Sequence, residues 1–153
     1  MRLPRSVESA DVAGRRVLVR ADFNVPLLDG AIADDTRIRA ALPTLRWLLD
    51  HGAAEVVVCS HLGRPITRED HARLAIAPIA AHLQALLPDE RLCVRENTRF
   101  HPGETANDVG FAAELAEGMD LYVNDAFGSA PPCSLFDGRC RPAAARLRRA
   151  LAP

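Results

Sequence analysis

Lysine is absent from this 153-residue chain, and all 19 basic residues are arginine. Any site for an anion must therefore be built from forked guanidinium groups, backbone N–H or histidine. No apolar run approaches the roughly 20 residues of a membrane span. The first 15 residues hold no apolar signal core, so the expected location is cytoplasmic. The chain has no Gly-x-x-x-x-Gly-Lys-Ser/Thr loop and no Gly-x-Gly-x-x-Gly fingerprint, hence no internal sign of a nucleotide pocket. Of the four cysteines, Cys59 and Cys93 sit in apolar runs and read as small buried thiols. Cys133 and Cys140 flank a Gly-containing loop without a companion His or Cys cluster, which argues against a metal site.

What is present suits one globular domain, large enough to bury roughly 70% of the surface its unfolded chain would expose. The formal net charge of −1 gives no reason to expect a nucleic-acid partner, but it hides an asymmetry. Residues 1–130 carry 14 Arg against 19 acidic groups, net −5, while residues 131–153 carry five Arg and one Asp, net +4.

Strand and helix patterns alternate. Arg16-Val-Leu-Val-Arg-Ala21 is a first strand, running into Asp22-Phe-Asn-Val-Pro26, with a turn at Asp29-Gly30. Asp34-Asp35-Thr36 offers capping oxygens before a helix with Ile38, Leu42, Leu45 and Leu49 on one face. Pro43 is expected to bend that helix or unsettle its first turns, and His51-Gly52 to stop it. Val56-Val57-Val58-Cys59 is a second strand, too continuously apolar for a half-exposed edge. A second helix spans 71–87 through Leu74, Ile79, Leu83 and Leu86, with Pro78 marking a bend or a late start. Leu92-Cys-Val is a third strand, 106–117 a third helix closed by Gly118, and Leu121-Tyr122-Val123 a fourth strand. The pattern predicts a Rossmann-like three-layer α/β/α domain with a mainly parallel sheet and right-handed crossovers.

Ligands of open parallel sheets collect beyond the carboxyl ends of the strands. Those ends carry Asp22-Phe23-Asn24, Ser60-His61-Leu62-Gly63-Arg64-Pro65, Arg95 to Gly103 with Arg99 among them, and Asn124-Asp125. Singly, each has a bland alternative. Asp22 is a loop carboxylate or cap as readily as an acceptor for a substrate hydroxyl, and Asn24 caps its turn or presents its amide. Arg37 in the first helical turn opposes the helix dipole, a small cost that favours anion binding over a solvated surface role. His61 and Arg64, with Gly63 bending the chain between them, can share one concavity. Arg99 either pairs with Glu96 or Glu104 or contacts the same anion. Together, three Arg and one His beside a strand-end crevice suit a small carboxylate or phosphate ligand.

Five segments go further: Arg20-Ala-Asp-Phe-Asn-Val-Pro26, Asp35-Thr-Arg-Ile-Arg-Ala-Ala-Leu-Pro-Thr44, Ser60-His-Leu-Gly-Arg-Pro65, Glu96-Asn-Thr-Arg-Phe-His-Pro-Gly-Glu104 and Tyr122-Val-Asn-Asp-Ala-Phe-Gly-Ser-Ala130. They resemble the successive signatures of phosphoglycerate kinase, in that family's order and spacing over about residues 10–130. The resemblance implies an amino-terminal, substrate-binding domain over 1–130. It places Asp22, Phe23 and Asn24 in the loop that holds the glycerate end of 3-phosphoglycerate. It puts Arg37 beside the transferring phosphoryl group, as the catalytic residue. His61, Leu62, Gly63, Arg64 and Arg99 fall in the basic patch that binds the substrate's phosphate and carboxylate. The family transfers a phosphoryl group reversibly between ATP and 3-phosphoglycerate, giving ADP and 1,3-bisphosphoglycerate in glycolysis. It requires Mg²⁺, and its members are typically monomeric.

The Mg-ATP site of that family lies in a second domain for which 153 residues leave no room, so the expectation is no nucleotide and no metal site in this chain. The expectation is a phosphoglycerate kinase fragment that binds 3-phosphoglycerate and is inactive alone; a non-catalytic small-anion (3-phosphoglycerate) binding module and a non-enzymatic truncated product are the alternatives. After Ala130 the family continues His-Arg-Ala-His, whose Arg joins the patch, but Pro131-Pro132 stand here. Residues 131–153 read as a divergent Arg/Ala/Pro-rich tail, prone to disorder, with a possible helix from Ala143 to Leu151. A reading-frame change or gene truncation near codon 131, or genuine divergence, would account for it. Four strands and three helices are incomplete for the family. Faces such as Val56-Val57-Val58 or Leu121-Tyr122-Val123 are then expected to be partly uncovered, which favours self-association.

Overall fold

A computed structural model describes residues 7–126, apart from 105 and 107. The tail 131–153, with Cys133, Cys140 and the proposed helix, lies outside the described residues, as do Phe127, Gly128 and Ser129.

The apolar runs become strands β1 (Arg16–Arg20), β4 (Glu55–Cys59), β5 (Leu92–Val94) and β6 (Leu121–Asn124) of one sheet in the order β5-β4-β1-β6. All three pairings are parallel, with Val17 opposite both Val56 and Leu121. Helices α1 (Thr36–Asp50), α2 (Arg68–Arg73), α3 (Ala77–Leu86) and α4 (Val109–Ala116) occupy the connections. Side chains alternate across each strand. Val17, Val19, Val56 and Val58 meet Ile38, Leu45 and Leu49 of α1 and Ile79 and Leu83 of α3 in one core layer. Leu18, Val57 and Cys59 meet Phe111 and Leu115 of α4 in the other. This is the expected three-layer α/β/α arrangement. The Val56-Val57-Val58 face, expected to lie partly uncovered, is buried on both sides, while Tyr122 and Val123 on the outer strand β6 are half-buried.

Several local expectations change. Between β1 and α1 lies a two-stranded antiparallel hairpin, β2 (Leu27–Leu28) and β3 (Ala31–Ile32). Asp29 and Gly30 both take positive φ, 50° and 78°, as a tight hairpin turn requires. Helix α1 runs through Pro43, and its last turn closes where Gly52 takes φ 85° and donates to the Leu49 carbonyl. The segment expected as one helix over 71–87 is two. Thr67 and Asp70 form a reciprocal capping box that starts α2, and Pro78 sits at the start of α3, where its missing N–H costs nothing. Cys93 is exposed rather than buried, because β5 is an edge strand.

The helix–sheet layer carries the stability. Leu45, with no exposed surface, packs in it, whereas Leu28 at the hairpin is 69% exposed. Leu45→Ala is expected to lower the unfolding free energy by ~2–5 kcal/mol, and Leu28→Ala by under ~0.5 kcal/mol, in urea titrations. Equal effects would contradict this layering.

Candidate functional site

The carboxyl ends of β1, β4 and β5 converge, and each following loop is pinned to its neighbour. After β1, the Phe23 side chain is fully buried and its N–H donates to Ser60 Oγ at 2.9 Å. After β4, the N–H of Gly63 donates to Asn24 Oδ1 at 2.8 Å. Buried Asn97 ties in the third loop: its Oδ1 accepts from Leu62 and Arg99 N–H, and its Nδ2 donates to the carbonyls of Leu62 and Leu74. With every bond of its amide satisfied, Asn97 sets the relative height of the second and third loops.

Of the anticipated site residues, Phe23 and Leu62 are core supports. Their side chains are buried, and the N–H of each already serves a neighbouring loop. Gly63 holds φ 61°, and a Cβ there would lie 2.9 Å from Leu74 Cδ1, so the bend needs glycine. Asp22 and Arg37 are brought together: Arg37 Nη1 donates to both carboxylate oxygens at 3.1 and 3.0 Å and to the Asn24 carbonyl at 3.1 Å. The Nε and Nη2 of Arg37 and the Nδ2 of Asn24 have no partner among the described residues, and half of the Arg37 side chain is exposed. Arg64 is exposed and has no polar partner among the described residues.

Arg99 is anchored: its Nε pairs with Glu104 at 3.2 Å and its Nη1 donates to the Gly63 carbonyl at 3.2 Å. The other Glu104 oxygen lies 3.4 Å from Arg20 Nη2, which also approaches His61 Nδ1 at 3.0 Å. Arg20, His61 and Glu104 are buried, at 3%, 3% and 1% exposure. Burial first, then the charges of Arg99 and Arg20, push the His61 imidazole down to about 4, so it is neutral at physiological pH. The crevice thus sets Arg20, Arg37, Arg64 and Arg99 against Asp22 and Glu104, leaving two positive charges. At the end of β6, burial raises the Asp125 carboxyl above the usual range. A cavity of about 450 Å³ opens beside the crevice, between the hairpin residues Leu27, Asp29 and Gly30 and the Leu62-Gly63 loop. Among the described residues no group of three or more His, Cys, Asp or Glu is placed to hold a metal ion.

Arg20 and Asn97 are site residues that sequence reasoning missed, and Glu104 was anticipated only as a partner of Arg99. The available signal was a charge at the end of an otherwise apolar strand, which in a covered sheet demands a buried counter-charge.

The sequence profile of the family "Phosphoglycerate kinase" matches residues 7–91 and 87–132. The phosphoglycerate kinase of Roseiflexus sp. (strain RS-1) is 47% identical over 82% of this chain and 38% of its own length. That of Rubrobacter xylanophilus is 48% identical over 82% and 37%. The structure of phosphoglycerate kinase from Coxiella burnetii superposes with a TM-score of 0.71 at 31% identity, over 80% of this chain and 35% of that one. The one from Pyrococcus horikoshii OT3 gives 0.67 at 27% identity, over 79% and 36%. The chain spans a little over a third of the length of the curated relatives it matches.

Order is kept throughout, but the spacing is not. The matched part of this chain is about 125 residues, 82% of 153, while the Roseiflexus alignment runs to 150 positions, so about 25 positions there lack a counterpart here. The two overlapping profile matches place the break at residues 87–91, between α3 and β5. The short connection is closed by its own bonds. Gln84 Nε2 donates to the carbonyls of Asp89 and Leu92, and Arg91 pairs with Asp89 and donates to the carbonyls of Leu49 and Ala53.

Glu104→Gln leaves two guanidinium groups facing a neutral amide in a buried site. A destabilisation of ~3–5 kcal/mol is expected in urea titrations; a loss under ~1 kcal/mol would show that the carboxylate does not organise the crevice.

Proposed function

The chain belongs to the phosphoglycerate kinase family, and from that premise we propose that its strand-end crevice binds 3-phosphoglycerate or 1,3-bisphosphoglycerate. The observation that carries this reading is the contrast between Arg64, exposed and unpartnered among the described residues, and the anchored Arg37 and Arg99 beside it. Two net positive charges on a stiff rim suit a compact polyanion, and forked guanidinium groups match both phosphate and carboxylate. Arg64 takes an anionic group of the substrate, the Asn24 amide and the Asp22 carboxylate take its hydroxyl, and Arg99 braces the Gly63 bend while its remaining donors face the ligand.

Arg37 is the residue proposed to touch the reacting atoms. Held at Nη1 by Asp22 and Asn24, it keeps Nη2 and Nε for the equatorial oxygens of a phosphoryl group. Phosphoryl transfer depends mainly on positioning and on neutralising those oxygens, so a pre-held guanidinium lowers the barrier without reorganising. The reaction proposed for the whole enzyme is reversible transfer between ATP and the carboxylate of 3-phosphoglycerate. Mg-ATP would be supplied there by sequence beyond the matched third. Within 153 residues the reading is binding without turnover, in the cytoplasm. No helix among the described residues is long and apolar enough to cross a membrane.

Isothermal titration with 3-phosphoglycerate tests the binding. Each charge-assisted hydrogen bond contributes about 1.5–3 kcal/mol, so Arg64→Ala is expected to weaken binding about tenfold or more. An unchanged curve removes Arg64 from the site, and no binding by the folded wild-type chain contradicts the assignment. In a coupled assay the purified 153-residue chain is expected to form no 1,3-bisphosphoglycerate from ATP. Steady formation would overturn the reading of binding without turnover.

A further inference from the structure

We infer that Arg20 is a positioning residue that fixes His61 as a neutral imidazole with its proton on Nε2, so that the crevice offers a ligand a permanent N–H donor rather than a titrating cation. A guanidinium group has donors only. Its approach to His61 Nδ1 at 3.0 Å is therefore a hydrogen bond only if Nδ1 carries a bare lone pair. In a neutral ring the proton must then sit on Nε2, which has no partner among the described residues although the residue is 97% buried. An imidazolium would oppose N–H to N–H and one cation to another, in a site with little water to screen them.

Arg20 cannot turn away to accommodate that. It stands on β1, an interior strand, and its guanidinium is held by Thr98 Oγ1 and Glu104 Oε1, both at 3.4 Å. The charged groups facing His61 come from every neighbouring element: Arg20 from β1, Asp22 from the loop after it, and Arg99 and Glu104 from the stretch after β5. The two carboxylates favour the imidazolium, but burial and the two guanidinium groups outweigh them, which agrees with an imidazole pushed down to about 4. At pH 7 about one ring in a thousand is then charged. The same geometry explains why a histidine serves here at all. A fixed tautomer needs no reorganisation when an anion arrives, and its affinity does not drift across the range in which free histidine titrates. The donor role rests on the phosphoglycerate reading; the protonation state does not.

Nitrogen-15 NMR of the imidazole rings in the labelled 153-residue chain tests this, with His61 assigned by its loss in His61→Gln. The expected result is a proton on Nε2, a bare Nδ1, and no change in either between about pH 6 and 8. A scalar coupling across the hydrogen bond from Arg20 Nη2 to His61 Nδ1 is also expected. A ring that titrates near its ordinary value, a proton on Nδ1, or no coupling with the Arg20 signals resolved overturns the inference. In the double variant Arg20→Met/Glu104→Gln, which removes donor and counter-charge together, His61 is expected to titrate within that range or to populate both tautomers. A ring still locked would mean that burial, not Arg20, sets its state. Saturating 3-phosphoglycerate is expected to shift the Nε2–H signal. A ligand that binds by calorimetry and leaves the signal unmoved overturns the donor role, whereas absence of all binding overturns only the phosphoglycerate reading.

Discussion

Two guanidinium groups share one buried carboxylate at the centre of this domain, and the crevice takes its shape from that arrangement. Glu104 reaches Arg20 with one oxygen and Arg99 with the other. Arg20 is rooted in the sheet and Arg99 in the stretch after β5, so the carboxylate links an interior strand to a strand-end loop. Buried charges are costly unless paired on all sides. Here pairing does more than offset that cost, because each guanidinium keeps donors for a second partner. Arg20 donates to His61, and Arg99 to the Gly63 carbonyl. Arg37 and Arg64 therefore stand on a base that is fixed in place yet still carries one net positive charge, two guanidinium groups against one carboxylate.

Much of the frame was legible in the amino-acid sequence. The β-branched runs at 16–20 and 56–59, the stop at Gly52 and the Asp-Asp-Thr start of α1 each name their element through local chemistry. Other local signals were present and passed over. Asp29-Gly30 between Leu27-Leu28 and Ala31-Ile32 is a hairpin signature, and Thr67-x-x-Asp70 is the helix start of a separate α2. What could not be read locally is partnership at a distance. Arg20 meets Thr98 and Glu104 across 78 and 84 residues, and no periodicity announces that. Cys93 looked buried because its run is apolar; only the strand order shows β5 to be an edge. The same limit applies to the site. Arg37 was legible as a cation misplaced for the helix dipole, while nothing in the motifs that carry Phe23 and Leu62 announced that their side chains are buried.

The connection between α3 and β5 is where the spacing departs from that of the relatives. About 25 positions present in the relatives are missing there, yet the strand-end loops after β4 and β5 still meet through Asn97. A length change on one connection thus leaves the crevice intact, because the crevice is held by side chains of the loops themselves. At the sheet margin β5 pairs, among the described residues, with β4 alone and presents Cys93 to solvent.

We propose that the buried Arg20–Glu104–Arg99 network supports a rim of cations suited to phosphoglycerate. A crystal structure of the chain with 3-phosphoglycerate tests it most directly. The account predicts the ligand at the carboxyl ends of β1, β4 and β5, with its anionic groups on Arg64 and Arg37 and with Glu104 still bridging Arg20 and Arg99. Ligand bound elsewhere, or seated there only after Glu104 has released both guanidinium groups, would contradict it.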